Sequence, residues 1–230
     1  MKISILTVTQ DRPEFLPWLY WNFSRLDWPE KELVIIDSSA TAVAPSKRKP
    51  ATFYHHAPGA NVPAKRNMAM AAATGDFITW LDDDDWRHPD WAYCVAGLAT
   101  ETGIAGGRSA YFVDLFGDKC RVFHQRQGLL FASLMAAREL ATAVPFDESI
   151  ERGSDLDWMA RLLNGRGYQF TYEAASLFLC HDRNMGNQRF SHYFNRPRAE
   201  IANTQAVGPY AWGDTDDQIA ALAKRLKNGN

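Results

Sequence analysis

Four carboxylates, Asp82, Asp83, Asp84 and Asp85, stand side by side directly after the apolar run Phe77 to Leu81. Anions this close repel one another, and stability alone gives no reason to place them at the end of a buried strand. A hard cation such as Mg2+ or Mn2+ takes carboxylate oxygens as ligands and would neutralise them. Asp82 and Asp84 are separated by a single residue, and on an extended segment such positions project to the same side. Without a cation, the run reads instead as a solvated acidic turn capping a helix that starts after Pro89.

Other reactive side chains share the same kind of position, the carboxyl end of a predicted strand. Thr9 follows the first such strand, Asp37 the second, the acidic run the fourth, and His181 the last. In open α/β sheets this edge is where ligands bind. Lys65 and Arg66 fall in the first turn of an Ala-rich helix, where the dipole disfavours cations, so an anion held nearby would account for them. His55 and His56 are neighbours on a strand and point to opposite faces, which makes them structural rather than a metal pair.

The elements that must position these groups follow from hydrophobic periodicity. Ile3 to Val8 is a strand; Asp11 is placed to cap a helix and Pro13 to open it, with Phe15, Leu16, Leu19, Phe23 and Leu26 at helical spacing. Trp28-Pro29 stops that helix, and Leu33 to Ile36 is a second strand, which completes a right-handed parallel unit. Thr52 to His55 is a short strand, Met68 to Ala73 lies in a helix closed by Gly75, and Pro89 to Thr100 is another helix. Ile104 to Phe116 and Arg121 to Gln125 read as strands joined at Gly117-Asp118. Leu129 to Met135 is apolar enough to re-enter the main sheet, and Ala136 to Ala143 is a short helix. A helix opens at Gly153-Ser154-Asp155, capped by Ser154 or Asp155, with Leu156, Met159, Leu162 and Leu163 as its buried stripe. Gln169 to Thr171 and Ala175 to Cys180 are strands, and Asp216 to Leu226 is a weak helix.

Composition sets the bounds. The 230 residues are 46% hydrophobic and 13% aromatic, ample for the core of one domain. A net charge of −2 argues against a globally basic nucleic-acid binder. No apolar run approaches the roughly 18 residues of a membrane span, and the apolar part of the N-terminus is too short for a signal peptide. The three cysteines, Cys94, Cys120 and Cys180, show no metal or disulfide spacing. These features describe a soluble, cytoplasmic protein. Neither a GxxxxGK[ST] loop nor a GxGxxG fingerprint is present, so ordinary ATPase and dinucleotide readings lack support.

Four blocks of the sequence resemble a known family. Ile5-Leu6-Thr7-Val8-Thr9-Gln10-Asp11-Arg12-Pro13 and Glu32-Leu33-Val34-Ile35-Ile36-Asp37-Ser38-Ser39 look like the start of a family-two glycosyltransferase of the GT-A fold. Pro63-Ala64-Lys65-Arg66-Asn67 and Leu81 to Asp85 are similar to that family's Ala-Arg-Asn segment and DXD motif. Phe146-Asp147-Glu148 with Gly153-Ser154-Asp155-Leu156-Asp157-Trp158 resembles its acceptor-side block. The chain departs from the family at Gln10-Asp11, often Tyr-Asn there, at Ser38, often an acid, and at Ser154, commonly Glu.

The resemblance implies an α/β, Rossmann-like and mostly parallel sheet flanked by helices. It implies one GT-A domain over 1–182, with a donor half at about 1–88 and an acceptor half at about 89–182. Residues 183–230 would form an irregular C-terminal extension packing on or over the active site. The implied activity is metal-dependent transfer of a sugar, with inversion, from a nucleoside-diphosphate sugar such as a UDP-sugar to a hydroxyl of a saccharide or glycoconjugate. Thr7, Thr9, Asp11, Arg12, Asp37, Lys65, Arg66, Asp82 and Asp83 would bind the donor. Asp84, Asp82 and His181 would hold Mn2+ or Mg2+, and Asp85 would support them or cap a helix. Asp155 is the expected general base; Glu148, Asp157, Trp158, Arg189 and Arg196 lie on the acceptor side. For Arg66, a structural salt bridge to the acidic run is the competing role.

Other readings stay open at this level. The acidic run would also serve a metal-dependent nucleotidyltransferase or phosphohydrolase, which leaves Asp155 without a role. A non-catalytic nucleotide-sugar binding module is a further alternative. The stretch His181 to Arg198 interleaves Arg183, Arg189, Arg196 and Arg198 with Phe190, His192, Tyr193 and Phe194. That composition suits a tail folding over the donor diphosphate, or a glycosyltransferase whose acceptor is a hydroxyl-bearing modified base in DNA.

Overall fold

Two β-branched runs lie side by side at the centre of the molecule, β1 (Ile3–Thr9) and β2 (Lys31–Asp37), paired in parallel. The structure is a computed structural model that describes residues 1–43, 52–114, 120–124, 127–172, 176–180, 204–207 and 214–228. Between the two strands run a 3-10 turn, Pro13–Phe15, and helix α1 (Leu16–Arg25). The chain continues through β3 (Thr52–His56), α2 (Val62–Ala72), β4 (Phe77–Trp80), β5 (Asp85–Arg87) and α3 (Trp91–Thr102). Next come β6 (Ile104–Gly107), β7 (Ser109–Asp114), β8 (Cys120–His124), β9 (Met135–Ala137), α4 (Arg138–Thr142) and α5 (Ser154–Leu163). Strands β10 (Gln169–Thr171), β11 (Ser176–Cys180) and β12 (Thr204–Val207) precede helix α6 (Asp214–Asn228).

The main sheet has seven strands in the order β10-β6-β9-β4-β1-β2-β3. Strand β9 runs antiparallel to β4 and β6, and the other pairings are parallel. Ile3, Ile5, Leu33 and Ile35 pack on one face with α1 and α3, while Leu6, Val34 and Ile36 pack on the other with α2, α4 and α5. A sheet covered on both sides needs continuous apolar strands rather than alternating ones. The α/β, mostly parallel expectation therefore holds, and the sheet joins residues from both halves of the chain.

A second sheet of five strands, β12-β8-β7-β11-β5, includes β5, which begins at Asp85, the last residue of the acidic run. Sequence periodicity gave no sign of β5, only three residues long, or of β12. The expected strand 104–116 is two strands in different sheets, divided at Arg108, whose backbone N–H donates to Thr171 O. A third apolar cluster ties this region together: Phe15, Trp18, Trp86 and Leu179 with Leu222 and Leu226 of α6.

Several local expectations need correction. Asp11 precedes the N-cap position of the first helical turn, which is Arg12: it stands at φ 51°, and its Oδ1 accepts from the backbone N–H of Ala40 at 3.1 Å. Gly75 does not close α2, which ends at Ala72 with Ala73 as its C-cap. Gly75 instead lies so close to β1 that a Cβ would sit 2.8 Å from Lys2 O and Ser4 N. The N-cap of α5 is Gly153, with no side-chain cap from Ser154 or Asp155. Leu156 is exposed, and the buried stripe is Ser154, Trp158, Met159 and Leu162. Asp85 is the first residue of a strand, and α3 begins later, at Trp91.

Candidate active site

The carboxyl ends of β1, β2 and β4 lie next to one another because the three strands are parallel neighbours. Their loops are stitched together by hydrogen bonds. Thr7 Oγ1 donates to Leu81 O at 2.6 Å and Thr9 Oγ1 to Asp83 Oδ2 at 2.6 Å. The N–H of Ser38 donates to Thr9 O at 3.1 Å, and Asp11 N–H to Ser39 Oγ at 2.6 Å. Asp37, at the end of β2, accepts from the N–H groups of Ser39 and Val43 at 2.8 and 3.1 Å and from the hydroxyls of Ser39 and Tyr54. Burial works to raise the Asp37 pKa, but these donors carry it below the ordinary value.

The acidic run forms a turn in which Asp85 N–H donates to Asp82 O at 3.1 Å. Arg12 grips it, with Nη1 3.0 Å from Asp83 Oδ1 and Nη2 against Asp84 Oδ2. The backbone oxygen of Asp85 is held from below by Trp18 Nε1 at 2.8 Å and Asn22 Nδ2 at 3.1 Å. Burial pushes the carboxyls of Asp82, Asp83 and Asp85 up from their usual range, and the neighbouring acids push them further. Asp85 Oδ2 is buried with no hydrogen-bond partner among the described residues. This crowding of half-compensated carboxylates fits a divalent cation. Among the described residues no three His, Cys, Asp or Glu side chains converge as a ready-made metal cage. One or two carboxylates completed by phosphate oxygens is the pattern Mg2+ favours.

The two cations of α2 point in different directions. Asn61 caps the helix, its side chain accepting from Ala64 N–H at 3.0 Å. Lys65 is buried and donates to Thr9 O at 2.9 Å; burial lowers its pKa to about 8 against the pull of Asp83 and Asp37. Arg66 reaches across to the start of α5, with Nη1 3.2 Å from Ser154 Oγ. Its guanidinium lies 4.5 Å from the Phe131 ring centre and 5.3 Å from that of Phe146. Burial lowers the Arg66 pKa, and the charges of Asp82 and Asp155 oppose that shift. Asp155, half-buried beside Ser154, likewise acts on Asp82. Residues 88 apart in sequence thus bring the acidic turn and the amino end of α5 to one place.

Residues 4–143 match the family described as glycosyl transferase family 2. The chain belongs to glycosyl transferase family 2. Succinoglycan biosynthesis protein ExoM of Rhizobium meliloti (strain 1021) is 30% identical over 115 residues, 46% of this chain and 37% of that protein. The crystal structure of S. aureus TarS 1–349 in complex with UDP-GlcNAc superposes with a TM-score of 0.65 at 14% identity, over 80% of this chain and 60% of that one. TarS 1–349 in another crystal structure gives a TM-score of 0.60 at 15% identity, over 78% and 61%. This chain thus spans about 37% of ExoM and about 60% of TarS 1–349. The TarS likeness shows the GT-A type fold, and the family makes this a glycosyltransferase domain.

The remaining residues expected from the family resemblance fall in different settings. Glu148 Oε1 accepts from Asn67 Nδ2 at 2.9 Å and Glu148 O from Asn61 Nδ2 at 2.8 Å, so α2 clamps the loop before α5. Asp157 pairs with Arg161 one turn on at 2.7 Å. Trp158 is fully buried, stacked on Phe146 at 4.8 Å, and its Nε1 donates to Val144 O at 2.6 Å. His181, Arg189 and Arg196, with the rest of the Arg- and aromatic-rich stretch, lie outside the described residues. Strand β11, which precedes His181, runs antiparallel to β5 with Phe178 opposite Asp85, so its carboxyl end is directed toward the acidic turn. Ser39, Tyr54 and Phe131 were not singled out in the sequence, and Ser154 only as a helix cap and a departure from the family pattern. Only Ser39 carried a signal, since an Asp two residues before a backbone N–H commonly forms such a turn. No helix of the described residues is long and apolar enough to cross a membrane.

Proposed function

We propose that this domain transfers a sugar from a UDP-sugar to a hydroxyl of a saccharide or glycoconjugate, with inversion and with Asp155 as general base. The observation that carries the reading is the meeting of the acidic turn with Asp155 through Arg66 and Ser154. The donor's base and ribose belong at Asp37 and the Thr7 to Arg12 segment, beside the ends of β1 and β2. Its diphosphate belongs against Arg12, Lys65 and the acidic turn, where three parallel strands end. Asp82 and Asp84 would hold Mn2+ or Mg2+, which supplies positive charge to the departing diphosphate. Asp155, in the first turn of α5, takes the acceptor's proton as the acceptor oxygen attacks the anomeric carbon. A single base facing the donor fits direct displacement.

A UDP-sugar is favoured because UDP-GlcNAc is bound by TarS 1–349, and a saccharide acceptor because ExoM is a succinoglycan biosynthesis protein. The test is mass spectrometry after incubation with UDP-sugars, Mn2+ and oligosaccharide acceptors. A product heavier than the acceptor by one sugar residue is expected. Phosphate or nucleotide release with no glycosylated product would reject transfer as the activity.

A further inference from the structure

We propose that Arg12 holds the place of a cation in the acidic turn, so that the divalent ion and the donor bind as coupled ligands. The inference rests on the metal and donor assignments of the proposed function. The Arg12 guanidinium spans Asp83 Oδ1 at 3.0 Å and Asp84 Oδ2. The guanidinium also lies over Phe15, 4.4 Å from the ring centre, and Phe15 is fully buried in the cluster that also holds α6.

A lone pair of Asp84 given to a guanidinium is not available to a metal, and two cations in one buried turn repel. A divalent ion ligated by Asp84 must therefore displace Arg12 or share its partner. Arg12 can leave without loss only if another anion receives it. The donor diphosphate, placed at the ends of the same strands, is such an anion, and a planar guanidinium grips phosphate as well as carboxylate. Lys65 and Arg66 are held differently, by Thr9 O and by Ser154 with Phe131, so neither competes for Asp84 in this way. Donor binding then frees Asp84 for the metal, and by linkage the metal strengthens donor binding through the same residue.

The test is Mn2+ binding followed by electron paramagnetic resonance of the free ion, with and without UDP. Wild type, Arg12→Gln, Arg12→Lys and Asp84→Asn are compared. Arg12→Gln is expected to bind Mn2+ about tenfold more tightly than wild type in the absence of UDP. The factor by which UDP improves Mn2+ binding should shrink in the same variant. Arg12→Lys keeps the charge without the two-pronged grip, so its affinity should fall between the two, and it decides the matter if Arg12→Gln does not fold. Unchanged or weaker Mn2+ binding by both Arg12 variants overturns the inference. If UDP recruits Mn2+ to wild type and not to Asp84→Asn, that failure leaves the metal assignment standing. If wild type binds no Mn2+ even with UDP, the metal assignment fails and this inference with it.

Discussion

Asp84 faces Arg12, whereas Asp82 lies within the field of Arg66 and Asp155 on the other side of the turn. Two carboxylates separated by a single residue are thereby given different company: one toward the loop after β1, the other toward the helix that carries the expected base. Asp85 is turned down onto Trp18 and Asn22 through its backbone and anchors the turn. This division of labour predicts how each residue responds to substitution. Asp84→Asn keeps the shape but loses the charge, so the metal dependence of UDP binding should vanish. Calorimetry should show UDP affinity falling about tenfold or more on adding EDTA to wild type. Equal affinities with and without EDTA in wild type would remove the metal from the account.

At the scale of elements, Glu32 joins three segments near the amino ends of the central strands, opposite the site. It accepts from Lys2 Nζ at 2.7 Å, Ser4 Oγ at 2.6 Å and Thr74 N–H at 2.7 Å, linking β1, β2 and the approach to β4. Burial acts to raise its pKa, but these donors depress it from 4.5 to about 2. A carboxylate depressed in the folded state takes up a proton on unfolding, so its contribution is complete above pH 4.5 and is lost as pH falls toward about 2. In Glu32→Gln, urea midpoints measured at about pH 5 and about pH 3 should differ less than in wild type. An unchanged difference would move the acid sensitivity elsewhere. The strands that Glu32 links were legible because short, continuous β-branched runs such as Ile3 to Val8 and Leu33 to Ile36 suit a strand buried on both faces. The end of α2 was misread for a physical reason: Gly75 has the composition of a helix stop, but its role is close approach to Ser4, which is a tertiary fact.

On the scale of the whole molecule, the C-terminal helix α6 returns to the beginning of the chain. Leu222 is fully buried against the cluster of Phe15, Trp18 and Trp86, which underlies both Arg12 and the acidic turn. Leu222→Ala should cost about 2–5 kcal/mol in urea denaturation, as large-to-small core changes do. UDP affinity should fall with it, and a stability change below about 0.5 kcal/mol would make α6 a bystander. The sequence indicated a weak helix there but no destination for it, since Leu222 and Leu226 look alike on any amphipathic surface. The site was more legible than its supports. Asp37, Lys65, Arg66, the acidic run and Asp155 carry motif spacing, whereas Tyr54, Phe131 and Ser154 gain their places only through the fold.

The central claim is that Asp155 takes the acceptor proton across from a donor held at the acidic turn. Asp155→Asn tests it most directly, because Asn retains the shape and cannot accept the proton at neutral pH. Product formation from a UDP-sugar, measured by mass spectrometry, should fall about 10²–10⁴-fold in this variant. UDP affinity and the melting temperature should stay close to wild type, since the side chain makes no capping bond in α5. Turnover within about threefold of wild type would contradict the claim and place the base on another residue.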